Sequence, residues 1–96
     1  MTIVNKLTKW ESLNKFSVYV RKCEAGKLEL TAKVINEIDS LLESEDAIFK
    51  EMVNLLKRFE CTEDEAMCFA SERIVEGCQI LRAARINYYL NKLEVM

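Results

Sequence analysis

Ninety-six residues, half of them hydrophobic, with a net charge of −2 and neither proline nor histidine, fit one helical domain with a single modest core and exclude a disordered or turn-rich chain. The missing histidine removes the usual zinc patterns and the common base of nucleophilic catalysis, and two glycines, at 26 and 77, are too few for a phosphate-cradling loop. No apolar run approaches the roughly 20 residues of a membrane span and the N-terminus lacks the continuous apolar stretch of a secretory signal, so a soluble, cytoplasmic protein is expected.

The first helix is expected over about residues 8–25. Thr8 and Glu11 stand in a T-x-x-E capping box, with Thr2 or Asn5 as earlier alternatives for the start. Trp10, Leu13, Phe16, Val20 and Cys23 trace one apolar stripe, and Gly26 is the natural stop because glycine enters the left-handed conformation without steric cost. Val18, Tyr19 and Val20 lend the middle some strand character; the helical reading is preferred.

From Thr31 to Phe59, two adjacent apolar columns run in heptad phase. Val34, Ile38, Leu41, Ile48, Met52, Leu55 and Phe59 form one, interrupted only at Glu45; Ile35, Leu42, Phe49 and Leu56 form the other. Unbroken phase predicts one helix over 31–59, about 43 Å long at 1.5 Å per residue. The alternative is a break between Glu43 and Asp46 with Ser44 capping a new start. Cys61 and Thr62 leave room for only a tight turn, so the second and third helices are expected to fold back as an antiparallel hairpin, with the first lying across it.

The third helix, over 63–93, opens on a second capping box, Thr62 to Glu65, with acids at 63 and 64 to complement the helix dipole. Met67, Ala70, Ile74, Gly77, Leu81, Ala84 and Tyr88 follow helical spacing, and Ala70, Gly77 and Ala84 recur every seven residues, making one edge nearly bare backbone. A helical glycine costs about 1 kcal/mol relative to alanine, so Gly77 implies a close helix contact. Ile80, Ala83, Ile86, Tyr89, Leu90 and Leu93 lie off that stripe, which leaves the helix apolar on more than one side. A homo-oligomeric helical bundle is therefore expected, its interface drawn from Ala70, Gly77, Leu81, Ala84, Tyr88, Leu90 and Leu93 with Trp10 nearby; the alternative is a monomer covered by its own first helix and termini.

Charge is unevenly spread. Residues 1–27 carry six basic and two acidic groups, residues 28–65 four and eleven, and residues 66–96 four and three. Solvated helix faces account for this, or else the basic arm contacts an acidic partner or the acidic middle of another copy. Cys23, Cys61, Cys68 and Cys78 form no C-x-x-C pair, and free thiols are expected, with a disulfide framework as the alternative. Glu72 and Glu76 lie one turn apart but without the Glu-x-x-His partners of helical metal sites, so they are expected on a solvated face or in a salt bridge to Arg73 or a neighbouring lysine. No motif points to catalysis, a cofactor or a metal, and the acidic balance disfavours duplex nucleic acid. Small phosphorylated ligands remain open: Tyr19, Arg21, Lys22 and Lys27 cluster near the end of the first helix, and Arg82, Arg85, Tyr88 and Tyr89 on the last turns of the third, where tyrosine offers a stacking face and arginine a fork for phosphate; side chains snorkelling at a subunit boundary are the plainer account.

A short first helix, a basic, tyrosine-bearing connection, a long helix pair and the segment Ala70-Ser71-Glu72-Arg73-Ile74-Val75-Glu76-Gly77, followed by Leu81 and Ala84, resemble the small phage proteins that sequester cyclic oligonucleotide signals of bacterial CBASS immunity. That resemblance implies a compact helical oligomer holding nucleotides between subunits and inhibiting without catalysis. It also implies that the family's binding tyrosine and lysine correspond to Tyr19 and to Lys22 or Lys27, and its later arginine to Arg73. The expected function is a non-catalytic, self-associating helical interaction protein, a phage-type inhibitor or adaptor, that acts by binding, with a protein partner or a small phosphorylated ligand both open. The alternatives are a cyclic-nucleotide sponge using Tyr19, Arg21, Lys22, Lys27, Arg73 and Arg85, and a secretion or assembly chaperone that holds a partner helix.

Overall fold

The structure, a computed structural model, describes residues 11–95. Among the described residues it consists of helices alone: α1 (Glu11–Glu24), α2 (Ala32–Glu43), α3 (Glu45–Lys57) and α4 (Glu63–Val95). The Thr8 capping box, Trp10 and the terminal residues Ile3, Val4 and Met96 lie outside the described residues.

Helix α1 turns Leu13 and Phe16 into the core, with Tyr19, Val20 and Cys23 packed beside them. Its start is held from another element, because the Leu13 N–H donates to Oε2 of Glu51 on α3 at 3.0 Å. Its end follows the glycine logic closely. Gly26 sits at φ 67, its N–H donates to the Cys23 carbonyl at 3.1 Å, and the Lys27 N–H donates to the Lys22 carbonyl at 2.9 Å. These are the two bonds of a Schellman cap, which satisfy carbonyls the helix leaves without partners. Thr31 then caps α2, accepting from the Val34 N–H at 3.2 Å.

The expected single helix over 31–59 is two helices. Ser44 stands between them at φ −94, ψ 16, in the bridge region between helix and strand. Its N–H is shared between the Ser40 and Leu41 carbonyls at 3.1 Å each, and its hydroxyl donates to the Ser40 carbonyl at 2.9 Å. Serine bonding back to the carbonyl four residues earlier is a recognised way to disturb the helical ladder. The break falls inside the stretch the alternative reading named, but Ser44 makes no side-chain cap for α3. It coincides with Glu45, the residue that interrupts the apolar column, so the column need not carry a carboxylate into the middle of a rigid stripe. Helix α3 also ends earlier than expected, at Lys57, and Phe59 lies past its end, 70% exposed. The chain reaches α4 through 58–62, with Glu60 in the left-handed conformation at φ 64.

Helix α4 is the axis of the molecule. Its 33 residues are about 50 Å long at 1.5 Å each, matching the longest dimension of 51 Å. The capping box forms as the residues dictate: the Thr62 N–H donates to Oε1 of Glu65 at 3.1 Å and the Glu65 N–H to Oγ1 of Thr62 at 3.2 Å. One face buries Ala66, Ala70, Ile74, Gly77, Cys78, Leu81 and Ala84 against the other three helices. Ala66 takes the place expected of Met67, which is 44% exposed. Near the start of α4, Ala66 and Ala70 enclose Val53 of α3; farther along, Ile74, Cys78, Leu81 and Ala84 meet Ile35, Ile38, Leu41 and Ile48. Both apolar columns of the 31–59 segment are thereby largely covered within the chain, Phe59 excepted.

Candidate functional site

Two surfaces collect the residues that sequence reasoning singled out. The first is a cleft between α1, α3 and α4, whose floor is Phe16, Val20, Met52, Gly77 and Ile80. Gly77, without a side chain, is what lets α1 come this close to α4 at the cleft floor. A β-carbon there would fall within bonding-clash range of Cζ of Phe16, 2.7 Å from its Cε2 and 3.1 Å from Cγ2 of Val20. At Gly77 the small-residue edge of α4 is therefore filled by α1 of the same chain.

Arg21 and Arg73, both expected to hold ligand, come together at this cleft, and Ser17 lies beside them. A neighbouring hollow shares Ser17, Arg21 and Met52 and continues along Leu13, Asn14 and Leu55. Each hollow encloses on the order of 300 Å³, at the low end of small-molecule sites. Two carboxylates, Glu24 and Glu76, line the same cleft as the two guanidiniums. The rim is thus balanced in charge, and an anion seated on Arg21 and Arg73 meets two acids as well. Arg73 also stacks on the Phe69 ring, 5.1 Å from its centre.

The remaining ligand candidates lie elsewhere. Tyr19 is partly buried against the core, which occupies part of the ring face a base would need. Lys22 and Lys27 are exposed and line neither hollow. Arg85 is committed within the chain: its Nη1 donates to Oδ1 of Asp39 on α2 at 2.8 Å, tying α2 to α4. Both side chains of that pair are more than a third exposed, so it fixes geometry more than it stabilises.

Of the expected interface residues, Ala70, Gly77, Leu81 and Ala84 correct to core positions. All four are buried under the chain's own helices and offer nothing to a second subunit. Tyr88 is half-buried, its ring edge-to-face with Tyr89 at 5.4 Å and covered by the Lys92 ammonium at 5.1 Å. Leu90 and Leu93 are open, at 50% and 66% exposure.

The second surface is the face of α4 turned away from the core. Val75, Ile86, Tyr89, Leu90 and Leu93 are each at least half exposed along it, and nothing among the described residues covers them. Sequence reasoning marked the last four as apolar residues off the first stripe and missed Val75, which the same helical spacing would have found. Glu45 and Asp46, at the start of α3, border this face, sharing a small groove with Phe49, Ser71, Ile74 and Val75.

All four cysteines are free. Burial raises the pKa of Cys78, the charge of Glu45 and a hydrogen bond to it act in the same direction, and Arg82 opposes them. Burial likewise raises that of Cys23. Neither thiol is poised as a nucleophile, since the thiolate is the reactive form. Among the described residues no group of three potential metal ligands is assembled, and no helix is long and apolar enough to cross a membrane. No protein-family model, curated protein or solved structure matches the chain.

Proposed function

We propose that this protein is a non-catalytic helical binding module, a small inhibitor or adaptor, that works by docking the outer face of α4 and associates with itself. The observation that carries this is the division of α4 into two apolar faces. One is consumed by the core, and the other leaves Val75 and, about three turns on, Ile86, Tyr89, Leu90 and Leu93 exposed, with Gln79 and Arg82 between them. Large apolar strips of this kind mark contact surfaces, because leaving them wet forfeits roughly 25 cal/mol per Å². The pairings of Asp39 with Arg85, Val53 with Ala66 and Ala70, and Lys57 with Glu63 at 3.9 Å run in opposite chain order, as in an antiparallel hairpin, and that hairpin is the scaffold that presents the strip.

Light scattering on the wild type and on Ile86→Glu tests it. A wild type heavier than 11.2 kDa and a folded variant at that mass support the proposal; a wild type that stays at the monomer mass at tens of micromolar removes it.

A cyclic-oligonucleotide sponge is the second reading, favoured by the meeting of Arg21 and Arg73 in one cleft. Against it stand Glu24 and Glu76 on the same rim and the engagement of Arg85 with Asp39. Thermal melting against cyclic di- and trinucleotides decides, since a ligand at 100 times its dissociation constant stabilises by about 2.7 kcal/mol. No shift with any of them ends this second reading.

A further inference from the structure

The outward positions of α4 recur at alternating steps of four and three from Cys68 to Leu93, the spacing of a coiled-coil seam, and every one of them is exposed. The seam is self-complementary when turned end for end about the midpoint between Ile80 and Leu81. Val75 then meets Ile86 of a second copy, Gln79 meets Arg82, Glu72 meets the hydroxyl-bearing Tyr89, and Cys68 meets Leu93. Two of the four pairs are apolar on apolar and Gln79 with Arg82 is polar on polar, while Glu72 faces the ring of Tyr89 and can reach its hydroxyl. A parallel pairing instead sets Glu72 against Glu72 and Arg82 against Arg82, a repulsion that selects against it.

A second observation supports the antiparallel arrangement. Arg82 is held in no salt bridge within its own chain among the described residues. Glu45 and Asp46 flank Val75 on the side of α4 towards which Arg82 points by helical position. In the antiparallel register Arg82 of the second copy arrives one turn from Val75, within reach of that acid pair. The seam is about 38 Å long at 1.5 Å per residue. Two strips of that length, each about a helix diameter wide, total roughly 800–900 Å² before any contact with α3 is added, close to the roughly 1,000 Å² that separates a biological interface from a chance contact.

We propose that the protein forms a two-fold symmetric dimer by antiparallel pairing of the outer faces of α4, registered at residues 80 and 81, with Arg82 of each copy directed at Glu45 and Asp46 of the other. This rests on the assignment of that face as the docking surface and adds the occupant and the register.

Disulfide trapping tests the register. On a single α4 residues 68 and 93 are about 38 Å apart, so a bridge between them forms only between copies. With oxidised glutathione, Leu93→Cys is expected to give a covalent dimer through Cys68, whereas the wild type, whose two Cys68 thiols lie at opposite ends of the seam, is expected to stay uncrosslinked. Arg82→Glu is expected to weaken the dimer about tenfold or more, and Glu45→Lys with Asp46→Lys in the same chain to restore it, with circular dichroism confirming the fold of each. A wild type that crosslinks through Cys68 overturns the antiparallel pairing. Leu93→Cys that stays uncrosslinked while light scattering still reports a dimer overturns the register and leaves the docking face standing. A monomeric wild type removes both.

Discussion

The ring of Phe16 on α1 occupies the space that a side chain on Gly77 of α4 would need, its Cε2 2.7 Å from the position of a β-carbon there. Phe16 is 3% exposed, and the one opening beside its ring is the cleft whose floor it forms. Gly77→Ala sets two effects against each other. Alanine favours the helix by about 1 kcal/mol, whereas forcing a buried ring aside costs typically 1–3 kcal/mol. The clash is expected to win, with a net loss of about 1 kcal/mol in urea unfolding. The sign is expected to reverse when Gly77→Ala is made in a Phe16→Leu background. A stabilising Gly77→Ala in the wild type would show that α1 yields at this crossing.

Glu60 holds a left-handed backbone at φ 64 in the connection between α3 and α4, without the glycine that Gly26 supplies after α1. That conformation costs an L-residue roughly 1–2 kcal/mol. Glu60→Gly is expected to raise stability by about 0.5–1 kcal/mol after the added flexibility of the unfolded chain is offset. The midpoint of thermal unfolding checks it, and an unchanged or lower midpoint contradicts it.

The Thr62–Glu65 box makes one contribution to stability depend on pH. Two hydrogen bonds to Thr62, the backbone one first, hold the Glu65 carboxyl below its ordinary pKa. A group with a depressed folded pKa contributes stability above its unfolded pKa and loses it as pH falls through the folded value. Glu65→Gln is therefore expected to lower stability at neutral pH and to converge with the wild type in acid, below the ordinary carboxylate range. Thr62→Ala, which removes the capping hydroxyl, is expected to cost about 1 kcal/mol at neutral pH. A gap between Glu65→Gln and wild type that is constant across pH contradicts the assignment.

Much of this was legible in the residues, for physical reasons that can be named. The stop at Gly26, the cap at Thr31 and the Thr62–Glu65 box are local arrangements in which side chain and backbone satisfy each other within a few residues, so sequence states them directly. The close contact at Gly77 was also legible, because a helical glycine demands one. What covers Gly77 was not: the spacing of Ala70, Gly77 and Ala84 is the same whether the seam meets another subunit or α1. The break at Ser44 was hidden by the unbroken heptad phase of Ile35, Leu42, Phe49 and Leu56 across it. A serine bonding back to Ser40 resets the backbone at one residue while keeping those side chains on the core side. At the cleft, the meeting of Arg21 with Arg73 is tertiary, as is the capture of Arg85 by Asp39, 46 residues away. No local rule separates the arginine that is tied to a carboxylate from those that line the cleft.

Thiol reactivity separates the two faces of α4. Cys68 is exposed and Cys78 is 1% exposed with its pKa raised by burial and by Glu45. With a disulfide reagent under native conditions, Cys68 is expected to react fast in protein diluted to the monomer and more slowly as the second copy covers it, and Cys78 only at the rate of unfolding at every concentration. Fast labelling of Cys78 in the folded protein contradicts the burial of that face.

The claim on which the account turns is that the outer face of α4 is met by a second copy. The most direct measurement is the thermal midpoint of the wild type and of Ile86→Glu as a function of protein concentration. Association that favours the folded state makes the midpoint rise with concentration. The account predicts that rise for the wild type and a flat line for Ile86→Glu. A wild-type midpoint independent of concentration, at the 11.2 kDa monomer mass, contradicts it.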